Sequence, residues 1–153
     1  MKARPYSAWI SWLFVFAMTG LGFTGMMQMP LAKRYYLTDV PGMAWTGDFF
    51  FVHKLHYVLA ALLLFVVALA VMNWLLEWKN RLVLTRLGVV RAVLLGGLLV
   101  SGLLRVYRNM PSVTLDPMAI LAIEWVHLGL AAVMGVIALV ALFKKVSAYA
   151  VWQ

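Results

Sequence analysis

Four long apolar segments constrain the fold of this 153-residue chain more than any other feature of its sequence. They cover about residues 9–29, 49–74, 87–106 and 118–143, and shorter polar stretches separate them. About 20 apolar residues are what an α-helix needs to cross the hydrocarbon core of a bilayer. Since lipid offers no partners for unpaired backbone groups, the sequence predicts an all-α, integral membrane four-helix bundle.

The composition agrees with a single membrane domain over residues 1–153. Hydrophobic residues make up 65% of the chain, charged residues make up 12%, and the mean hydropathy is +0.94. A soluble domain carries about twice that share of charged residues. We therefore expect no soluble catalytic domain, and we expect the chain to be a non-catalytic subunit of a larger complex. The lack of cysteine excludes disulfides, thiolate-bound iron–sulfur clusters and covalently attached c-type haem.

The net charge of +8 reflects basic residues that mark the ends of the apolar segments. They form no continuous patch, so we do not expect nucleic-acid binding. Lysine and arginine are enriched in cytoplasmic loops of membrane proteins. With the N-terminus in the cytoplasm, five basic residues lie outside and eight lie inside, which predicts that both termini are cytoplasmic in a bacterial inner membrane. The inner group is Lys2, Arg4, Lys79, Arg81, Arg86, Arg91, Lys144 and Lys145, and the outer group is Lys33, Arg34, Lys54, Arg105 and Arg108.

The first segment contains Gly20-Leu-Gly22-Phe-Thr-Gly25, which has the glycine spacing of a dinucleotide-binding loop. No strand precedes it, so the pattern is better explained by small residues that let two helices pack closely. No internal repeat is apparent in the sequence.

The three histidines are the candidate functional residues. His53 and His56 lie near the start of the second segment, and His127 lies near the start of the fourth. These two segments enter the membrane from the same side, with His56 and His127 at depths of roughly 10 and 13 Å. Imidazoles at matching depth on two helices are suited to ligating the iron of a b-type haem. His53 shares the face of His56 one turn nearer the surface, so either could ligate, and hydrogen bonding alone is the alternative role.

Glu124 lies one turn before His127 on the same helical face. A carboxylate inside a bilayer requires a partner or water. It could form an ion pair with Arg105 or Arg108, or it could exchange protons at a quinone pocket. His53 could also exchange protons there if it does not ligate the iron.

Further residues near the histidines are candidates for holding the cofactor. Lys54, Arg105 and Arg108 could neutralise haem propionates, or they could anchor the helices at the membrane interface. Tyr57 and Trp125 stand next to the candidate ligands in the sequence and are predicted to form pocket walls.

Short motifs around the histidines resemble a known family. The stretch Val52-His-Lys-Leu-His-Tyr-Val resembles the haem-binding second helix of membrane cytochrome b subunits, namely the formate dehydrogenase gamma-subunit and nickel–iron hydrogenase group. Glu124-Trp-Val-His-Leu-Gly-Leu resembles the start of that family's fourth helix, and Trp12 to Gly20 resembles its first. The resemblance implies a membrane-anchor cytochrome. Such a subunit would pass electrons between menaquinone or ubiquinone and an outer-face iron–sulfur or multihaem c-type partner.

The chain also departs from this family. Members with two haems carry a histidine in the first helix and another deep in the fourth, whereas here the first segment has none and Ala141 stands about four turns after His127. The resemblance therefore implies a single haem b, bound by His127 together with His56 or His53. A second haem would need a methionine ligand.

Two other functions remain open at the level of the sequence. One is a haem-free structural anchor within a larger complex. The other is a divalent-metal transporter that uses His53, His56, Glu124 and His127 as ligands.

Overall fold

The structure, a computed structural model, describes residues 7–29, 34–145 and 148–153. Each of its four long helices is long and apolar enough to cross a membrane. They are α1 (Ala8–Gln28), α2 (Phe49–Leu76), α3 (Arg86–Arg108) and α4 (Pro117–Phe143). The predicted all-α fold with four membrane spans is confirmed, and the chain is a multi-pass membrane protein. Lys2, Arg4 and Lys33, which entered the charge comparison, lie outside the described residues.

Polar caps determine where three of the four helices begin. The Asp48 carboxylate accepts a hydrogen bond from the N–H of the third residue of α2 at 3.0 Å, and the Thr85 hydroxyl does the same for α3 at 2.8 Å. Asp116 accepts from the second and third residues of α4 at 2.9 and 3.4 Å, and Pro117 occupies the first position. These side chains satisfy backbone donors that have no partner within the helix.

The chain divides into two compact units, and the first ends at Asn80. In this unit α1 and α2 pack against each other as an antiparallel hairpin, called the first hairpin below. Two short 3-10 helices, Leu37–Asp39 and Ala44–Gly47, lie in the connection between them. The Trp45 ring of this connection contacts Phe23 of α1 and Phe51 of α2, with ring centroids 5.9 and 5.7 Å away.

The second unit begins at Arg81 and contains the second hairpin, formed by α3 and α4. Two short strands, β1 (Leu82–Leu84) and β2 (Ala150–Trp152), pair in antiparallel fashion before α3 and after α4. They were not predicted, because three-residue strands are too short to show an alternating pattern.

The segment that leads into β2 packs closely on the start of α3. The N–H of Thr85 donates to the carbonyl oxygen of Tyr149 at 2.9 Å. A Cβ atom at Gly88 would overlap that same carbonyl oxygen, so the approach requires glycine. The guanidinium of the buried Arg91 lies over the Tyr149 ring, 4.1 Å from its centroid, in a cation–π contact.

Candidate functional site

His56 is held by a hydroxyl group of the neighbouring helix in the first hairpin. Its Nδ1 atom lies 2.8 Å from the hydroxyl oxygen of Thr24, which is almost fully buried on α1. The Thr24 hydroxyl itself donates to the carbonyl oxygen of Gly20, one turn earlier, at 2.8 Å. Gly25 lies beside the ring, since a Cβ atom there would be 3.6 Å from the Cε1 atom of His56.

This arrangement favours the neutral tautomer of His56 that carries its proton on Nδ1. A hydroxyl group has one proton, and that of Thr24 is directed to the Gly20 carbonyl oxygen. In a neutral imidazole, Nδ1 must therefore donate to the Thr24 oxygen, and the lone pair resides on Nε2. An Nε2 lone pair is what a histidine uses to bind a metal ion while its other nitrogen donates to an acceptor.

His127 is held in the same way in the second hairpin. Its Nδ1 atom lies 2.9 Å from the hydroxyl oxygen of the buried Ser101 on α3, and that hydroxyl donates to the Gly97 carbonyl oxygen at 2.8 Å. A Cβ atom at Gly102 would be 3.5 Å from the Cε1 atom of His127. The same reasoning places the proton of His127 on Nδ1 and its lone pair on Nε2.

The correspondence extends one turn deeper along each hairpin. A Cβ atom at Gly20 would lie 2.9 Å from a methyl carbon of Leu59, which follows His56 by one turn. A Cβ atom at Gly97 would lie 3.0 Å from a methyl carbon of Leu130, which follows His127 by one turn. In each hairpin, a glycine thus lets a leucine of the second helix approach the first helix closely.

The correspondence between the hairpins also extends one turn to the other side of the histidines. There the two hairpins use different residue types. In the first hairpin His53 Nδ1 donates to the Gln28 amide oxygen at 3.2 Å. At the matching positions of the second hairpin, Arg105 Nε donates to a Glu124 oxygen at 3.2 Å. A hydrogen bond between histidine and glutamine in one hairpin therefore corresponds to an ion pair in the other.

The two hairpins are thus repeats of one contact pattern that the sequence analysis did not detect. Along the first helix of each, contacts fall at every fourth residue, and along the second helix at every third. The only sequence signal is Gly-Leu-x-x-Thr-Gly at residues 20–25 and Gly-Leu-x-x-Ser-Gly at residues 97–102. The first lies within the glycine pattern assigned to helix packing, and the contact of Gly20 with Leu59 confirms that assignment.

Glu124 is engaged by two arginines in the second hairpin. Its two oxygens lie 3.1 Å from Arg105 and 2.8 Å from Arg108. The ion pair, one of the two alternatives left open by the sequence, is present and includes both arginines. The three groups together carry one net positive charge, so they could attract an anionic group such as a carboxylate.

The remaining predicted residues occupy less enclosed positions. The Tyr57 ring contacts His53, with centroids 4.4 Å apart, while Phe49 stacks on the other side of that histidine at 5.5 Å. Lys54 is exposed on α2, and Trp125 is exposed on α4. Tyr57 therefore contacts a predicted site residue in the first hairpin.

The residues of each hairpin fit a role as haem ligands. A porphyrin supplies four nitrogen ligands to its iron, and the protein then needs to supply only axial ligands. Each hairpin offers one imidazole whose proton is held on Nδ1 by a buried hydroxyl and which lies against a glycine. Thr24 and Ser101, which hold the two histidines, were not predicted from the sequence.

No protein-family profile matches this chain, and no curated protein or solved structure shows significant similarity to it.

Proposed function

We propose that this protein is a b-type cytochrome subunit of a membrane redox complex, with one haem b ligated by His56 and His127. The haem would act as a one-electron carrier, with the chemistry supplied by the cofactor. The chain would supply two imidazole nitrogens to hold the group, fix their orientation and balance the charge of the bound group.

The observation that carries this proposal is that each hairpin holds a histidine through the same contacts. Thr24 holds His56 at 2.8 Å and Ser101 holds His127 at 2.9 Å, each through Nδ1. A histidine that only stabilised its own hairpin would not need the same tautomer, hydroxyl and adjacent glycine in both. Two equivalent imidazoles are suited to ligating one iron.

The same observation favours His56 over His53 as the partner of His127. In the repeated pattern the counterpart of His127 is His56, whereas the counterpart of His53 is Glu124. Gln28 and two aromatic rings contact His53. We therefore assign His53 to proton exchange near a quinone.

The charged residues fit supporting roles in the same scheme. Arg105, Arg108 and Glu124 together carry one net positive charge, and the exposed Lys54 carries another. These cations would neutralise haem propionates. Glu124 would orient the two arginines, and Tyr57 and Trp125 would contribute to the walls of the pocket.

As a subunit, the chain would exchange electrons between menaquinone or ubiquinone and an outer-face iron–sulfur or multihaem c-type protein. We propose a bacterial inner-membrane location with both termini cytoplasmic, because positive charges favour that side. Reporter fusions at the C-terminus and in the connection between α1 and α2 test this topology. Reduction of the haem by a soluble quinol analogue tests the exchange with quinone.

The central experiment is a pyridine-haemochrome count on the purified protein in detergent. We expect one haem per chain in the wild type, near-complete loss in His56→Ala and His127→Ala, and retention in His53→Ala. Full retention in His127→Ala would overturn the proposal. A wild-type protein without a b-type spectrum, even when expressed with its complex, would instead indicate a haem-free anchor.

A further inference from the structure

We propose that Thr24 and Ser101 are positioning residues that set the reduction potential of the haem through the Nδ1 protons of its two ligands. This inference rests on the proposed function, since it concerns the same two histidines. It adds a role for two hydroxyl groups that do not touch the iron.

Toward the histidines, both hydroxyls are placed to accept a hydrogen bond and not to donate one. Each is buried within its hairpin, and each directs its proton to a glycine carbonyl oxygen one turn earlier at 2.8 Å. Each also lies within 3.3 Å of the next carbonyl oxygen, at Leu21 or Leu98, so two acceptors compete for the hydroxyl proton. The oxygen lone pair is left to face the histidine.

An acceptor at Nδ1 changes the electronic character of the iron ligand. When Nδ1–H donates a hydrogen bond, the imidazole becomes more basic, and its Nε2 atom donates more charge to the iron. Added charge stabilises the ferric state more than the ferrous state. Loss of the hydrogen bond should therefore raise the reduction potential.

The repeated geometry predicts that the two hydroxyls act to a similar extent. The Thr24 and Ser101 contacts differ by 0.1 Å, and the glycine carbonyl acceptors lie at equal distances. Since each hydroxyl contacts a different histidine, their effects on the potential should add.

The test uses redox titration of the full-length protein in detergent, with haem content measured in parallel. Thr24→Val and Ser101→Ala remove each acceptor, and Thr24→Ser and Ser101→Thr keep it. Thr19→Val and Ser11→Ala remove hydroxyls of α1 for which no contact with a histidine is found, and they serve as matched controls. A resonance Raman or EPR spectrum reports whether two histidines still ligate the iron.

We expect Thr24→Val and Ser101→Ala each to raise the potential, by roughly a tenfold change in the ratio of ferric to ferrous ligand affinity, or about 59 mV. The double variant should show the sum, and the hydroxyl-retaining variants and the controls should stay at the wild-type value. Thr24→Val or Ser101→Ala could lose the haem altogether. The proposal is then supported if the variant that keeps a hydroxyl at the same position, Thr24→Ser or Ser101→Thr, retains the haem. Loss of haem from both variants at one position overturns the proposal. Unchanged potentials with intact bis-histidine spectra would also overturn it. A wild-type protein without haem would refute the proposed function instead.

Discussion

At the scale of single residues, His56 and His127 are each held by a hydroxyl group on the neighbouring helix of their own hairpin. An ionisable side chain inside an apolar segment is rare enough to suggest function by itself. A threonine or serine in such a segment is common and usually bonds only its own helix. The importance of Thr24 and Ser101 depends on contacts with another helix at 2.8 and 2.9 Å, and spacing along one helix does not contain that information.

Glu124 provides a prediction at this scale because one carboxylate forms ion pairs with two arginines. Glu124→Gln leaves Arg105 and Arg108 to repel each other, whereas Arg105→Gln leaves the 2.8 Å pair of Arg108 and Glu124 in place. About a quarter to a third of these side chains is exposed, at 24% and 34%, so water screens part of the interaction. We expect Glu124→Gln to lower the free energy of unfolding by about 1–2 kcal/mol, more than either arginine variant.

Equilibrium unfolding in mixed detergent micelles measures these differences. The matched control is Glu77→Gln, which neutralises an exposed carboxylate at the end of α2. If Arg105→Gln proved more destabilising than Glu124→Gln, the shared-carboxylate explanation would be wrong.

Two glycines of α1 give a second prediction at the residue scale. A side chain at Gly20 would meet Leu59 at 2.9 Å, while a side chain at Gly22 would meet nothing within 4 Å. Gly20→Leu should therefore separate α1 from α2 and destabilise the first hairpin by about 1–3 kcal/mol, as overpacking does elsewhere. Gly22→Leu should be close to neutral, because its side chain would face away from α2. The measurement is again unfolding in detergent, and equal losses for both variants would contradict the packing assignment.

At the scale of the elements, apolar length predicted the helices well and the short strands not at all. Helices predicted over 49–74 and 118–143 are observed over Phe49–Leu76 and Pro117–Phe143. The agreement is close at the starts because Asp48 and Asp116 lie just before the apolar runs and cap the helices. The pairing of β1 with β2 brings together residues far apart in sequence, and no local pattern indicates it.

The start of α3 gives a prediction for that pairing. A Cβ atom at Gly88 would overlap the backbone carbonyl of Tyr149, which unlike a side-chain end cannot rotate away. Gly88→Ala should therefore displace the C-terminal segment from α3 and expose Arg91, at about 1–3 kcal/mol. Gly96→Ala on the same helix is the matched control, because a Cβ atom there meets nothing within 4 Å.

Limited proteolysis near residues 148–153 detects the displaced segment directly. We expect cleavage of Gly88→Ala to be markedly faster than that of the wild type and of Gly96→Ala. Equal cleavage rates in all three proteins would show that the close approach at Gly88 does not hold the segment in place.

At the scale of the whole molecule, the number of membrane spans follows from the sequence, whereas the equivalence of the hairpins does not. Apolar length predicts the number of helices, but some of the matching contacts involve different residue types in the two hairpins. Gln28 with His53 corresponds to Arg105 with Glu124, and Thr24 corresponds to Ser101. Repeats that conserve contact positions and vary the residues leave little sequence similarity to detect.

The chain divides into two compact units, and each contains one of the two proposed haem ligands. This division leads to a prediction for a protein that is cleaved between the units. A protease site inserted between Lys79 and Asn80 would lie in the turn after α2, outside both hairpins. Because the helices of each hairpin contact each other, cleavage there should leave the helix content unchanged and both fragments in the membrane fraction. Circular dichroism and fractionation measure this, with the uncleaved insertion protein as control.

The haem content of the fragments then tests how the two hairpins work together. If His56 and His127 share one iron, the protein cleaved after haem binding should retain its b-type spectrum, and each fragment expressed alone should hold no bis-histidine haem. Co-expression of both fragments should restore the spectrum, because each hairpin forms its own contacts between hydroxyl and histidine. A single fragment with a full complement of haem would show that one hairpin ligates the iron by itself, and sharing between the two hairpins would be wrong.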